Sequence, residues 1–177
     1  MSEPPNLDQL AGGFNVDPLE GLLFGPLRDS FGVNAEQWKR LTEVVTLHMA
    51  LDRLLFLRVT MGLTMVAGER ANVPRITRRV TKMRFAVRLE LAQDAGWISE
   101  ELANDLAAVN GLRNRFLHFD ARRGLDEAPE LASPGAFREF TKRGVRAWSG
   151  LAAHLMPLVQ RAAEEPGPEH PPTPPAG

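Results

Sequence analysis

The sequence contains no cysteine and no tyrosine. Without thiols there is no disulfide framework, no thiolate-bound metal and no cysteine nucleophile. No apolar run approaches the roughly 20 residues that a helix needs to cross a bilayer. The opening Met1-Ser2-Glu3-Pro4-Pro5 lacks the basic and apolar regions of a secretory signal. No segment is read as a β-strand. These absences lead to the expectation of an all-α protein that is cytoplasmic and stays off the membrane, and no cofactor is expected.

The 177 residues suffice for one domain with a working core, and a hydrophobic fraction of 44% with 24% charged residues is ordinary for a globular chain. The net charge of −1 hides an uneven distribution. Residues 1–33 carry one basic and five acidic side chains, residues 34–124 carry 15 and 10, and residues 125–177 carry five and seven. A basic middle between acidic ends suits a polyanionic partner, although a solvated helix face gives the same count.

Residues 1–33 are rich in Gly, Pro and Asp and read as a largely irregular arm. Its apolar patch, Leu19, Leu22, Leu23, Phe24 and Leu27, is expected to pack on the body or on a second subunit, or else to recognise another protein. A helical domain follows over 34–163. Asn34 is a good N-cap with Gln37 placed as in a capping box. Trp38, Leu41, Val45, Leu51, Leu55 and Val59 keep helical spacing as far as about Met65, before Ala67-Gly68. His48 and Asp52 sit within this stripe, and a boundary histidine bonded to a neighbouring carboxylate accounts for them. A second helix is expected from Pro74 to Gly96, with Ile76, Val80, Met83, Val87 and Leu91 on its apolar face. Between Glu69 and Glu90 every charged residue is basic: Arg70, Arg75, Arg78, Arg79, Lys82, Arg84 and Arg88. Such like charges repel by a few tenths of a kcal/mol per close pair. Either a phosphate backbone or acidic groups from the flanking segments must offset that cost.

Ser99, with Glu100 and Glu101 after it, caps a third helix carrying Leu102, Leu106, Val109, Leu112 and Phe116 to about Phe119. Residues 120–132 are turn-prone. Ser133 and Pro134 open a last helix with Phe137, Phe140, Gly144, Trp148, Leu151, Leu155 and Leu158 as its stripe, Gly144 allowing close approach of a neighbour. Residues 164–177, rich in proline, read as a disordered tail with polyproline II character.

The chemically informative stretch is Leu112-Arg113-Asn114-Arg115-Phe116-Leu117-His118-Phe119. Asn114 and His118 share a helix face, and Arg113 lies about 100° round from Asn114. A permanent cation and an imidazole against an apolar core are costly without partners. Two accounts stay open: a functional site, or a core histidine and a salt-bridged arginine joining two helices.

Arg113-Asn114-x-x-x-His118 resembles the R-x4–6-H motif of the HEPN superfamily, including the polar residue after the arginine. The setting is similar too. Leu47-His48-Met49-Ala50-Leu51-Asp52-Arg53-Leu54-Leu55 resembles an early HEPN helix, and Phe85-Ala86-Val87-Arg88-Leu89-Glu90-Leu91-Ala92 with Gly96 resembles the helix that precedes the motif. The likeness covers about residues 36–160 and is nearest to the mannitol repressor-like and toxin-like branches. It implies a four- to five-helix bundle that forms a homodimer in which two motif helices meet. In catalytic members it implies a metal-independent endoribonuclease. His118 would then act as general acid or base, Arg113 would stabilise charge on the phosphate, and Asn114 would hold the phosphate or orient the histidine.

This chain departs from the pattern at two places. Where some HEPN toxins carry a Glu ahead of the Arg, Val109 and Asn110 stand here, and Asp52 is expected to compensate by bonding Arg113 across the helices. Where one branch has a modifiable Tyr two residues after the His, this chain has Asp120. Arg75, Arg78, Arg79, Lys82, Arg88 and Arg115 are the candidate RNA contacts, and His48 joins Asp52 in support of the site. Three functions compete. They are an endoribonuclease of the toxin or phage-defence kind with an antitoxin or regulatory partner, a non-catalytic regulator acting through protein or nucleic-acid binding, and a partner subunit of a nucleotidyltransferase.

Overall fold

The computed structural model describes residues 34–117 and 128–164. The N-terminal arm with its Leu19–Leu27 patch, residues 118–127 and the proline-rich tail lie outside the described residues. Every regular element among the described residues is helical, and among them no helix is long and apolar enough to cross a membrane.

Helix α1 spans Ala35–Ala67. Its start is fixed by a reciprocal capping box: Gln37 N donates to Asn34 Oδ1, and Asn34 N donates to Gln37 Oε1, both at 2.9 Å. Gly68 ends it at φ +54° and donates its amide back to Met65 and Thr64. A 3₁₀ turn at Gly68–Arg70 leads to α2, Val73–Thr81, where Asn72 caps the helix by accepting from Arg75 N. Helix α3 spans Phe85–Asp94 and closes with two backbone bonds, Trp97 N to Ala92 O and Gly96 N to Gln93 O, around Gly96 at φ +65°. That is the Schellman pattern expected of a glycine at this position. Helix α4 (Glu100–Leu117) is capped by Ser99 Oγ, the single-turn α5 covers Pro129–Ala132, and α6 (Pro134–Glu164) is capped by Ser133 Oγ.

All the other helices pack against α1. Arg40 meets Phe137 and Leu47 meets Gly144, so α1 and α6 run in the same direction. Helix α4 runs against both, pairing Leu102 with Gly150 and Asn110 with His48. The core is continuous through Leu41, Val44, Leu51, Leu55 and Val59 of α1, Leu106, Val109 and Leu112 of α4, and Phe140, Ala147 and Leu151 of α6. Arg40 is buried at the α1–α5 contact, where Nη1 donates to Leu131 O at 2.7 Å. Asp105 of α4 is buried too and takes hydrogen bonds from Arg143 and Arg146 of α6 at 2.9–3.2 Å. Burial alone would raise its pKa, but the two guanidinium groups outweigh that and hold the carboxyl below the usual range.

Three expectations need correction. The segment after Pro74 is two helices, broken at Lys82–Arg84, and Val87 is 46% exposed while Phe85, Leu89 and Ala92 face the core. Arg84 is extended (ψ 156°), which lets α3 start in a new rotational phase. In α6 Trp148 stands at the rim, 36% exposed, because the smaller Ala147 fills the buried position of that turn. In the stretch 120–132, Pro129–Ala132 forms a helical turn. The close approach at Gly144 holds: a Cβ there would collide with the Leu47 side chain.

Gly62 makes a second close contact, its backbone lying under the Trp97 ring, and an added Cβ would fall 2.7 Å from the rigid indole. Gly62→Ala is expected to cost about 1–3 kcal/mol through overpacking. Gly111→Ala, in the interior of α4 with open space at the Cβ position, should stabilise by about 0.5–1 kcal/mol. Urea unfolding of the two variants checks both signs.

Candidate functional site

The last two turns of α4 are two-faced. Val109 and Leu112 are fully buried, while Asn110, Arg113 and Asn114 lie along the half-buried margin and Arg115 is exposed. Arg113 Nη1 donates to Asn114 Oδ1 at 3.1 Å, so the two polar residues singled out in the sequence are held as a pair. His118, their expected partner, lies outside the described residues.

One turn before Arg113, Asn110 Oδ1 is 3.2 Å from His48 Nε2. With that oxygen as acceptor, the imidazole donates from Nε2. His48 is buried in the α1 stripe, its ring 4.9 Å from that of Phe85. Burial is the largest influence on its pKa and lowers it. The Asn110 bond and Asp52 oppose that shift, while Arg113 and Arg88 reinforce it. Neutral imidazole is therefore the favoured form near the two guanidinium groups. The hydrogen bond of His48 goes to Asn110 rather than to the expected carboxylate.

Asp52, one turn along α1, accepts from Arg88 Nη2 at 2.7 Å, and Arg88 Nη1 donates to the Asp52 carbonyl at 3.3 Å. The Arg88 side chain is 9% exposed and its guanidinium lies 5.9 Å from the centre of the Phe56 ring. Two expectations are corrected here. Arg88 is not available on a basic outer face, because α3 turns it inward to a carboxylate. Asp52 bonds Arg88 instead of Arg113, since Arg88 reaches it from the facing helix. The result is a polar seam where α1, α3 and α4 meet, with Asp52–Arg88, His48–Asn110 and Arg113–Asn114 in succession.

The other candidate contacts divide differently. Arg115 is partly exposed and joined to Glu130 of α5 at 2.6 Å. Arg75, Arg78 and Arg79 of α2 and Lys82 at its C-cap all lie exposed, and an open depression is lined by Asn72, Pro74, Arg75 and Arg78. The sequence reading missed Asn110 as the partner of His48 and missed Asp105. Both carried a usable signal, being polar residues beside the buried positions of α4. Among the described residues, no group of three or more His, Asp or Glu side chains gathers to hold a metal ion. Compared with known proteins, the chain matches no family model, no curated protein and no solved structure.

The lowered pKa of His48 has a signed consequence. Below about pH 6.5 the unfolded chain binds a proton that folded His48 resists. Its part of the stability is therefore complete above that pH and is lost as the pH falls toward the folded pKa. Urea unfolding at about pH 7.5 and about pH 5.5 should show a smaller acid loss in His48→Gln than in the parent. Equal losses would rule this account out.

Proposed function

We propose that the chain is a HEPN-like endoribonuclease whose centre is built from Arg113, Asn114 and His118, duplicated across a homodimer. The observation that carries the reading is the Arg113–Asn114 pair, hydrogen-bonded together on the half-buried margin of the motif helix. A guanidinium in that setting suits a phosphate, which it can bind through two parallel hydrogen bonds. In the proposed reaction an imidazole takes the proton of a ribose 2′-OH and the freed oxygen attacks the adjacent phosphorus. The bond to the 5′-oxygen breaks, and a second imidazole, from the other subunit, returns a proton to that leaving group. Arg113 stabilises the charge that builds on the phosphoryl oxygens. The products are a 2′,3′-cyclic phosphate and a 5′-hydroxyl, and DNA, lacking the 2′-OH, is spared. Neither metal nor cofactor enters this scheme. In a toxin or phage-defence role the protein would work in the cytoplasm under an antitoxin or another regulatory partner.

A second reading, a non-catalytic regulator that binds nucleic acid or protein, draws on Asn110. Where a toxin's Glu is expected ahead of the arginine, this amide instead bonds a buried histidine.

The purified protein, incubated with labelled single-stranded RNA in EDTA, should yield cyclic-phosphate ends. Arg113→Ala and His118→Ala should each slow cleavage by about 10²–10⁴-fold. A single 2′-deoxy substitution at the cleaved nucleotide should block the cut. Undiminished cleavage by both variants, or cleavage of the deoxy substrate, would sink the catalytic reading.

A further inference from the structure

Helix α2 carries Arg75, Arg78 and Arg79, with Lys82 at its C-cap, and the four positions fall within about 100° of arc and along about 10 Å of axis. Four of the possible pairings are three or four residues apart, the spacing at which like charges on a helix repel. All four side chains are exposed, and none is ion-paired among the described residues. Elsewhere among the described residues the cations divide: Arg40, Arg88, Arg115, Lys142, Arg143 and Arg146 each hold a carboxylate, whereas Lys39, Arg53, Arg58, Arg70, Arg84, Arg113, Arg138 and Arg161 form no ion pair, but none of these makes a cluster of four like the one at α2. Arg84, past the break, is exposed too, and the chain has no acidic residue between Glu69 and Glu90.

We infer that this ridge of α2 is a binding surface for the sugar-phosphate backbone of single-stranded RNA. A polyanion supplies the neutralisation that the described part of the protein does not. Three of the four cations are arginines, whose planar donors fit phosphate. An anionic membrane fits less well, because an interfacial helix must sink its apolar face into the acyl boundary. Here that face is occupied: Val80 is fully buried, Ile76 packs on the core, and α2 lies against α1. Along the chain, the Lys82 end of the ridge is followed by α3, whose buried Arg88 bonds Asp52, one turn of α1 from His48. The inference rests on the proposed function only for the choice of RNA as the polyanion.

The test uses the full chain carrying His118→Ala, so that bound RNA stays intact, and follows anisotropy of a labelled single-stranded oligonucleotide over a salt series. Replacing Arg75, Arg78, Arg79 and Lys82 together by Gln should flatten the plot of log K against log salt by about 3. Affinity at about 0.1 M salt should fall at least about tenfold. Replacing the three arginines by Lys keeps the charge and should keep the slope, with circular dichroism confirming the helix in each variant. An unchanged slope in the Gln variant, loss of slope in the Lys variant, or binding to phosphatidylserine vesicles without binding to RNA would overturn the inference. Absent cleavage by the parent with salt-steep binding intact would refute the nuclease and leave the ridge standing. Cleavage with an unchanged slope would do the opposite.

Discussion

The fold depends on one continuous buried stripe along α1, apolar at every position but His48. Leu41, Val44, His48, Leu51, Leu55, Val59 and Gly62 are all buried, at steps of three and four residues, and every other helix of the described fold packs against this helix. Each fully buried Leu or Val contributes roughly 1.5–3 kcal/mol, so α1 is held by its neighbours far more than by intrinsic propensity. One position of the stripe is a histidine. A buried imidazole is costly unless bonded, so whatever packs over His48 must offer a polar group, and α4 offers Asn110. The polar seam follows from that single departure from an apolar stripe.

The seam also sets rotations. His48–Asn110 fixes α4 about its axis relative to α1, and Asp52–Arg88 does the same for α3. Asp105, gripped by Arg143 and Arg146, then locks α6 to α4. With α4 held at these two points, Arg113 and Asn114 come to the half-buried margin instead of turning into the core or fully out to solvent. A neutral His48 matters for the same reason. Arg88 and Arg113 both disfavour a third positive charge at this junction, and burial keeps it away.

What the sequence made readable was chemistry that acts over a few residues. The Asn34–Gln37 box, Ser99, Ser133 with Pro134, and Gly96 each satisfy orphan backbone groups within one turn, so their spacing alone reveals the helix ends. The close approach at Gly144 was also visible, as a small residue inside an apolar stripe. Pairings over long separations were not. Asp52 meets Arg88 across 36 residues and His48 meets Asn110 across 62. Nothing local distinguishes Arg88 from its exposed basic neighbours, or tells that Trp97 will cover Gly62. Arg113 and Asn114 were legible as polar residues in an apolar helix, and they do lie together. Their relation to His118 lies outside the described residues.

The break at Lys82–Arg84 shows how an apolar pattern can mislead when two phases overlap. Met83, Val87 and Leu91 continue the spacing of Ile76 and Val80, which is why an unbroken helix reads well. In such a helix Phe85, Leu89 and Ala92 would fall about 120–180° from Val80, on the side of the basic row, while Arg84 would lie within about 40° of Val80. Both placements are unfavourable, since aromatic and aliphatic surface would go to water and a guanidinium to the core. Turning the chain at an extended Arg84 reverses both: Arg84 is exposed, and Phe85, Leu89 and Ala92 are buried. The same turn carries Phe85 to the His48 ring and Arg88 to Asp52. One local interruption thus sorts a run of like charges into an outward row on α2 and a single inward cation on α3, and the polar seam requires that second placement.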